Sequence, residues 1–155
     1  AGSADYTVRI LEEMGEVLVH GVTIMPGKPT ILGAVGKTPV VGIPGYPVSA
    51  IIAFEQFVLP LLTRMQGGEP GRSRTVRAIL ARDLPSRSGI EEFRRMVTGR
   101  IGDQYVTVPL KKGAGAITTL TRANSMLRID AAAEGVKRQA RVEISLLRPE
   151  RTIAK

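Results

Sequence analysis

The sequence changes its periodicity at one place, and that change constrains the fold more than any single motif. Residues 66–74 read QGGEPGRSR, a run of glycine, proline and polar residues that marks a linker. Before it, helical and strand-like patterns alternate. Asp5 is a plausible N-cap for a short helix to Met14, with Val8, Ile10 and Leu11 available to a buried face and Gly15 just past its end. EVLVHGVTI (16–24) has the β-branched, partly alternating character of a strand; MPGKP (25–29) reads as a turn; TILGAV and PVVGI read as short apolar strands. After PGYP (44–47) a helix is expected, with Val48, Ile51, Ile52, Glu55, Val58, Leu59 and Leu62 at helical spacing. Pro60 should kink or nearly end it. Alternating strands and helices point to a mostly parallel sheet covered by helices. About three strands are few for a parallel layer, so the chain is expected to be part of a larger protein.

Beyond the linker the pattern is different. TVRAILARDL, FRRMVTGRI, QYVTVPL, SMLRID and RVEISLL are short, partly alternating segments separated by PSRSG, GD, KKGAGA and AAAEG. Strands at that spacing indicate a small β-barrel or sandwich. The expected organisation is α/β followed by all-β, with an α/β part over residues 1–67, a linker at 68–72 and a barrel over 73–150.

Composition narrows the chemistry. The 155 residues contain no cysteine, which excludes disulfides, thiolate metal sites and cysteine nucleophiles, and which suits a reducing cytosol. There is no tryptophan and the aromatic share is 4%, so the core is built from Val, Ile, Leu and Ala. The first ten residues carry neither a basic region nor an apolar run, so no signal peptide is expected. The most apolar stretch, 47–62, is interrupted by Glu55 and Gln56 and reads as too short for a bilayer; a soluble, cytoplasmic protein is expected. The net charge of +8 divides as −2 over residues 1–70 and +10 over the remainder. That asymmetry suggests two units, the second facing something anionic, although arginines on solvated strand faces are the commoner cause. A nucleic-acid-binding barrel ranks last, because the aromatic interleaving needed for base stacking is absent.

Three stretches could carry a ligand. In GSADYT, Gly2 and Ser3 lead into Asp5, gathering free backbone N–H groups at a helix start where anions are favoured. Asp5 itself could be a cap, a hydrogen-bond acceptor or an oxygen ligand for magnesium, with the cap the commonest case. MPGKPT places Lys28 between Gly27 and Pro29, so the turn is stiff and the lysine pre-aimed. GAVGKT (33–38) is no P-loop, since its glycines stand three apart. GIPGYPVSA (42–50) is stiffer than a strand-to-helix corner needs. Gly42 and Gly45 allow close approach or positive φ, Pro44 and Pro47 remove freedom, and Ser49 stands near the helix start. A rigid loop between a strand's carboxyl end and a helix N-terminus is where open α/β sheets bind anionic ligands. His20 has no second histidine for a metal role, Ser3 and Ser49 show no base for nucleophilic work, and KKGAGA (111–116) and RAN (122–124) could approach an anion.

In order, GSADYT, ILEEMGEV, HGVTIMPGKPTILG and PVVGIPGYPVSAIIAFEQFVLPLL resemble the molybdopterin molybdotransferase family, the MoeA-type enzymes that include the E domain of gephyrin. EFRRM, VPLKKGAGAITTLTRANSMLRI and VEISLL are similar to that family's C-terminal β-barrel. Members are much longer, so the resemblance implies their C-terminal portion: part of a MogA-like α/β pterin-binding domain, then a small barrel. It implies the insertion of molybdenum from molybdate into adenylylated molybdopterin with magnesium, releasing AMP, in a homodimer whose site needs domains beyond these residues. Alone, the chain is expected to be inactive. The family motifs fall on Asp5 (also the implied magnesium ligand), Lys28, Pro44 and Pro47, with Gly2, Ser3, Gly27, Gly45, Ser49 and Arg95 implied as binding residues. Met25 stands where the family often has lysine, and Tyr46 where it usually has asparagine. Both leave room for a non-catalytic pterin-binding or scaffold module.

Overall fold

The computed structural model describes residues 6–71, 73–111 and 117–148. It divides into two compact units, Ala1–Pro70 and Gly71–Lys155.

In the first unit, α1 (Tyr6–Met14) leads into β1 (Glu16–His20). Leu11 is buried on α1, whereas Ile10, expected on the inner face, is 52% exposed. Gly15 does not adopt the left-handed conformation of a helix cap. It is needed for space, because a Cβ there would run into the backbone of Ala34 and Val35. β2 (Ile24–Met25), β3 (Ile31–Val35) and β4 (Thr38–Gly42) follow. The sheet has the order β1-β3-β4 and both of its pairings are antiparallel. This corrects the expected mostly parallel sheet. GAVGKT, read as a loop, is a hairpin: Val35 pairs with Thr38 across the two-residue turn Gly36-Lys37, and such a turn can only join antiparallel strands.

The helical run is longer than the sequence suggests. α2 (Pro47–Ala53) passes through a π-helical turn (Phe54–Val58) into α3 (Leu59–Met65). Pro60 neither ends nor nearly ends it. A proline ring collides with the carbonyl four residues back and supplies no N–H. The wide turn directly before it makes room, with the Leu59 amide reaching the carbonyl of Phe54, five residues back. By length and composition alone, Pro47–Met65 is long and apolar enough to cross a membrane, where the sequence reading expected too short a stretch. Val48, Ser49, Ile52 and Ala53 are buried on its first turns, while α3 has no buried residue.

The second unit is a closed five-stranded barrel. β5 (Thr75–Leu80), β7 (Glu91–Ile101), β8 (Gln104–Pro109), β9 (Ser125–Ile129) and β11 (Arg141–Leu146) pair in the circular order β5-β8-β7-β9-β11. Only β5 and β8 are parallel. β7 closes the ring because its eleven residues serve two partners: Glu92–Met96 pairs with β9 and Met96–Ile101 with β8. β6 (Leu84–Pro85) and β10 (Gly135–Val136) form a separate two-stranded ribbon. The core is Ala78, Leu80, Leu84, Met96, Leu127, Ile129, Val142 and Ile144, the aliphatic filling that the composition implies.

Polar groups also enter this barrel, and each finds a partner. Thr98 donates to Thr107 Oγ1 at 2.8 Å and meets Ser125 Oγ at 2.6 Å. Asn124 accepts from the Thr98 amide at 2.8 Å and donates to its carbonyl at 2.7 Å. The asparagine considered above as an anion contact is therefore buried and acts as a splint beside β7. Glu92 and Arg94, both buried, pair at 3.0 Å, and Ser86 Oγ donates to the second carboxylate oxygen at 2.9 Å. Among the described residues no buried side-chain polar atom lacks a partner.

One short helix escaped the sequence reading. α4 (Ile117–Arg122) lies in the region read as a loop. Its last carbonyls, those of Leu120 and Thr121, accept from Arg148 at 3.3 and 2.8 Å. A cation at a helix C-terminus is where the peptide dipoles favour it.

Candidate functional site

The PGKP turn is fixed by its neighbours rather than by its lysine. Gly27 has φ +128°, and a Cβ there would meet Ile24 Cδ1 at 2.8 Å. The positive φ favours glycine, and the close approach of Ile24 leaves little room for a larger residue. Buried Thr30 locks the turn, with its amide and hydroxyl both donating to the Gly27 carbonyl, at 3.0 and 2.7 Å. The Lys28 carbonyl accepts from the Val22 amide at 2.9 Å. The backbone of Lys28 is therefore structural, while the residue as a whole is exposed and no ion pair or hydrogen bond engages its ammonium among the described residues.

The second proline loop joins the end of β4 to α2, as its sequence suggests. Ile31 and Gly42 are paired across the open end of the β3–β4 hairpin. The chain then runs through Ile43, Pro44, Gly45 and Tyr46 to Pro47, the first residue of α2. Neither Gly42 nor Gly45 has positive φ, and a Cβ on Gly45 would meet no atom within 4 Å. Gly45 thus borders open space. Ser49 is buried at 4% exposure.

These loops meet at a cleft of about 250 Å³, lined by Thr7 from α1, Pro29 and Ile31 from the first loop and strand, and Gly42, Ile43, Pro44, Gly45 and Tyr46 from the second. The segments singled out by sequence thus converge. Of the individual candidates, Pro44 and Gly45 line the cleft; Lys28 is the residue before Pro29; Gly27, Pro47 and Ser49 lie in the supporting turn and helix. Gly2, Ser3 and Asp5 lie outside the described residues, as do residues 112–116 of KKGAGA. Arg95 belongs to the barrel, where it donates to Thr119 Oγ1 on α4 at 2.8 Å. Sequence reasoning missed Thr7 and Ile31, for which motif spacing gave no signal. It noted Tyr46 only as a departure, not as a wall.

Among the described residues the lining is two isoleucines, two prolines, glycine backbone, the Thr7 side chain and the Tyr46 phenol, with no carboxylate, lysine or arginine. Such a cleft offers backbone, hydroxyl and phenol contacts to a ligand, and the exposed Lys28 directly precedes Pro29 of its lining. Among the described residues no three His, Asp or Glu side chains gather as a metal site.

Residues 1–64 match the family model described as "Probable molybdopterin binding domain", and residues 77–147 match "MoeA C-terminal region (domain IV)". Molybdopterin molybdenumtransferase 2 of Mycobacterium tuberculosis is 44% identical over 97 residues, covering 62% of this chain and 23% of its own length. Molybdopterin molybdenumtransferase of Haemophilus influenzae is 42% identical over 66 residues, 43% of this chain and 16% of its own. The crystal structure of a molybdopterin biosynthesis MoeA protein from Pyrococcus horikoshii superposes with a TM-score of 0.75 at 37% identity, covering 96% of this chain and 36% of that one. The chain spans about a third of the length of the relatives that it matches nearly from end to end. Two family models in the family's own order, an α/β part and a closed barrel that superpose on its solved structures, and the convergence of both proline loops place the chain in the MoeA-type molybdopterin molybdotransferase family.

Proposed function

We propose that these residues form the pterin-binding and barrel part of an enzyme that inserts molybdenum from molybdate into adenylylated molybdopterin, with release of AMP. The observation that carries this reading is the cleft between the two proline loops, with an unpaired lysine beside it. The loops would hold the pterin, and Lys28 would supply positive charge to its phosphate or to the incoming oxyanion. Pro44, Gly45 and Pro47 would keep the loop rigid, and Gly27 would hold the turn that presents Lys28. Ser49 would offer its hydroxyl at the start of α2. Gly2 and Ser3 would lend backbone amides, and Arg95, which donates to Thr119, would be a binding residue of the barrel unit. Such transfers ask little covalent work of a protein; rigid placement and a charge aimed where negative charge develops supply most of the acceleration.

Magnesium is assigned in this proposal only to Asp5, outside the described residues. The working protein would be a cytoplasmic homodimer carrying the further domains of the family, and this chain alone would bind without turning over. Met25 and Tyr46 favour a second reading, a pterin-binding or scaffold module without catalysis. Normal affinity without metal insertion in a full-length protein would identify it.

The test is a calorimetric titration of the chain with molybdopterin, with Lys28→Ala and Asp5→Ala alongside. Micromolar binding is expected. Lys28→Ala should weaken it about tenfold or more, since a hydrogen bond to a charged group contributes about 1.5–3 kcal/mol. Equal binding by wild type and Lys28→Ala would remove the lysine from the site.

A further inference from the structure

We infer that Tyr46 is a stacking platform that makes the cleft between the proline loops selective for a flat, uncharged heteroaromatic ring, rather than for the anionic end of a ligand. The inference deepens the pterin reading and rests on it for the identity of the ring.

Tyr46 stands at the N-cap of α2 with extended backbone, φ −79° and ψ 126°, and its side chain makes no capping hydrogen bond. An N-cap position favours Ser, Thr, Asp or Asn, whose short oxygen can reach the free amides of the first turn; a phenol oxygen stands too far from its own backbone to do so. The residue is therefore a poor choice for helix stability. It is also uncovered, at 64% exposure, so it contributes little to the core. What the position does provide is an aromatic residue in the lining of the cleft, with no charged side chain among the described residues that line it. Pro47 and Pro44 hold the backbone on either side, and the space at Gly45 is open, so the backbone that carries the ring is stiff and free space adjoins it. Rigid presentation reduces the ordering cost of binding. A planar heterocycle gains contact on a phenol face, where a phosphate gains nothing.

The two roles of this position predict opposite signs in one variant. Tyr46→Asn supplies the missing cap and should raise the melting temperature, while removing the platform. The 155-residue chain, Tyr46→Phe and Tyr46→Asn are titrated with an unphosphorylated pterin, with adenosine and with inorganic phosphate. Wild type and Tyr46→Phe should bind the pterin alike, and Tyr46→Asn about tenfold more weakly, the order expected for loss of one ring–aromatic contact. Phosphate affinity should be the same in all three. Adenosine bound in place of the pterin, with the same dependence on Tyr46, would sustain the platform and overturn the pterin reading. Pterin binding that Tyr46→Asn leaves unchanged would overturn the platform and leave the pterin reading standing. Failure of wild type to bind either ring would overturn both.

Discussion

Thr98 shows what a single residue contributes inside the barrel. It is fully buried on β7, donates to Thr107 Oγ1 on β8 and meets Ser125 Oγ on β9. Valine has nearly its shape, so Thr98→Val tests the hydrogen bonds with little change in packing. The loss should be about 1–3 kcal/mol, the cost of stranding a buried polar group, read from chemical denaturation. Adding Thr107→Val should cost clearly less than a second such penalty, because its hydroxyl has already lost its donor. Additive losses would show that the two hydroxyls act independently. Lys28 is the contrast. Its carbonyl holds the turn and its side chain is exposed, so Lys28→Ala should change stability by no more than about 0.5 kcal/mol while weakening ligand binding. A residue with that split is available for function, whereas Thr98 is not.

The helical run from Pro47 to Met65 is the element on which local rules and context diverge most. Its first turns bury Val48, Ile52 and Ala53, yet Ile51, Phe54, Leu59, Leu62 and Met65 are exposed large apolar side chains. Within this chain, Leu62→Lys should therefore cost no more than about 0.5 kcal/mol, the range of surface substitutions, and should reduce binding of a hydrophobic dye. A loss comparable with that of a buried leucine, about 2–5 kcal/mol, would mean that Leu62 packs on something in solution.

At the scale of the whole molecule, the barrel draws its core from its own strands and from Leu84 of the adjoining ribbon, and its ring of pairings leaves no open edge among the five. The first unit has a three-stranded antiparallel sheet and exposed apolar side chains on α1, β1 and the long helix, among them Tyr6, Met14 and Leu18. Limited trypsin digestion should accordingly cut within residues 66–74 first and leave a resistant fragment beginning near residue 73, as the proposed boundaries of 67, 72 and 150 require. Cleavage inside the barrel before the linker would overturn that partition.

The sequence by itself determined the places where the chain changes character: strand and helix to residue 65, a linker, then short strands. It also determined the two proline loops, because glycine, proline and lysine act through local geometry that needs no distant partner. Even the family was legible, since its motifs lie in these loops and in the barrel strands. Strand direction was not, because an apolar five-residue run pairs either way until its connection and neighbours are placed; the Gly36-Lys37 turn settled it. Nor was the fate of Pro60, whose clash is relieved by a π turn that no local propensity announces. Asn124 looked like a loop residue and is a buried splint, because its two partners lie 26 positions away on β7. Tyr46 became a wall of the cleft only when residues 29–31 and 42–46 were brought together. Local conformation follows from the residue and its neighbours in sequence. Pairing, burial and the shape of a cleft depend on contacts between distant segments, and these only the tertiary structure decided.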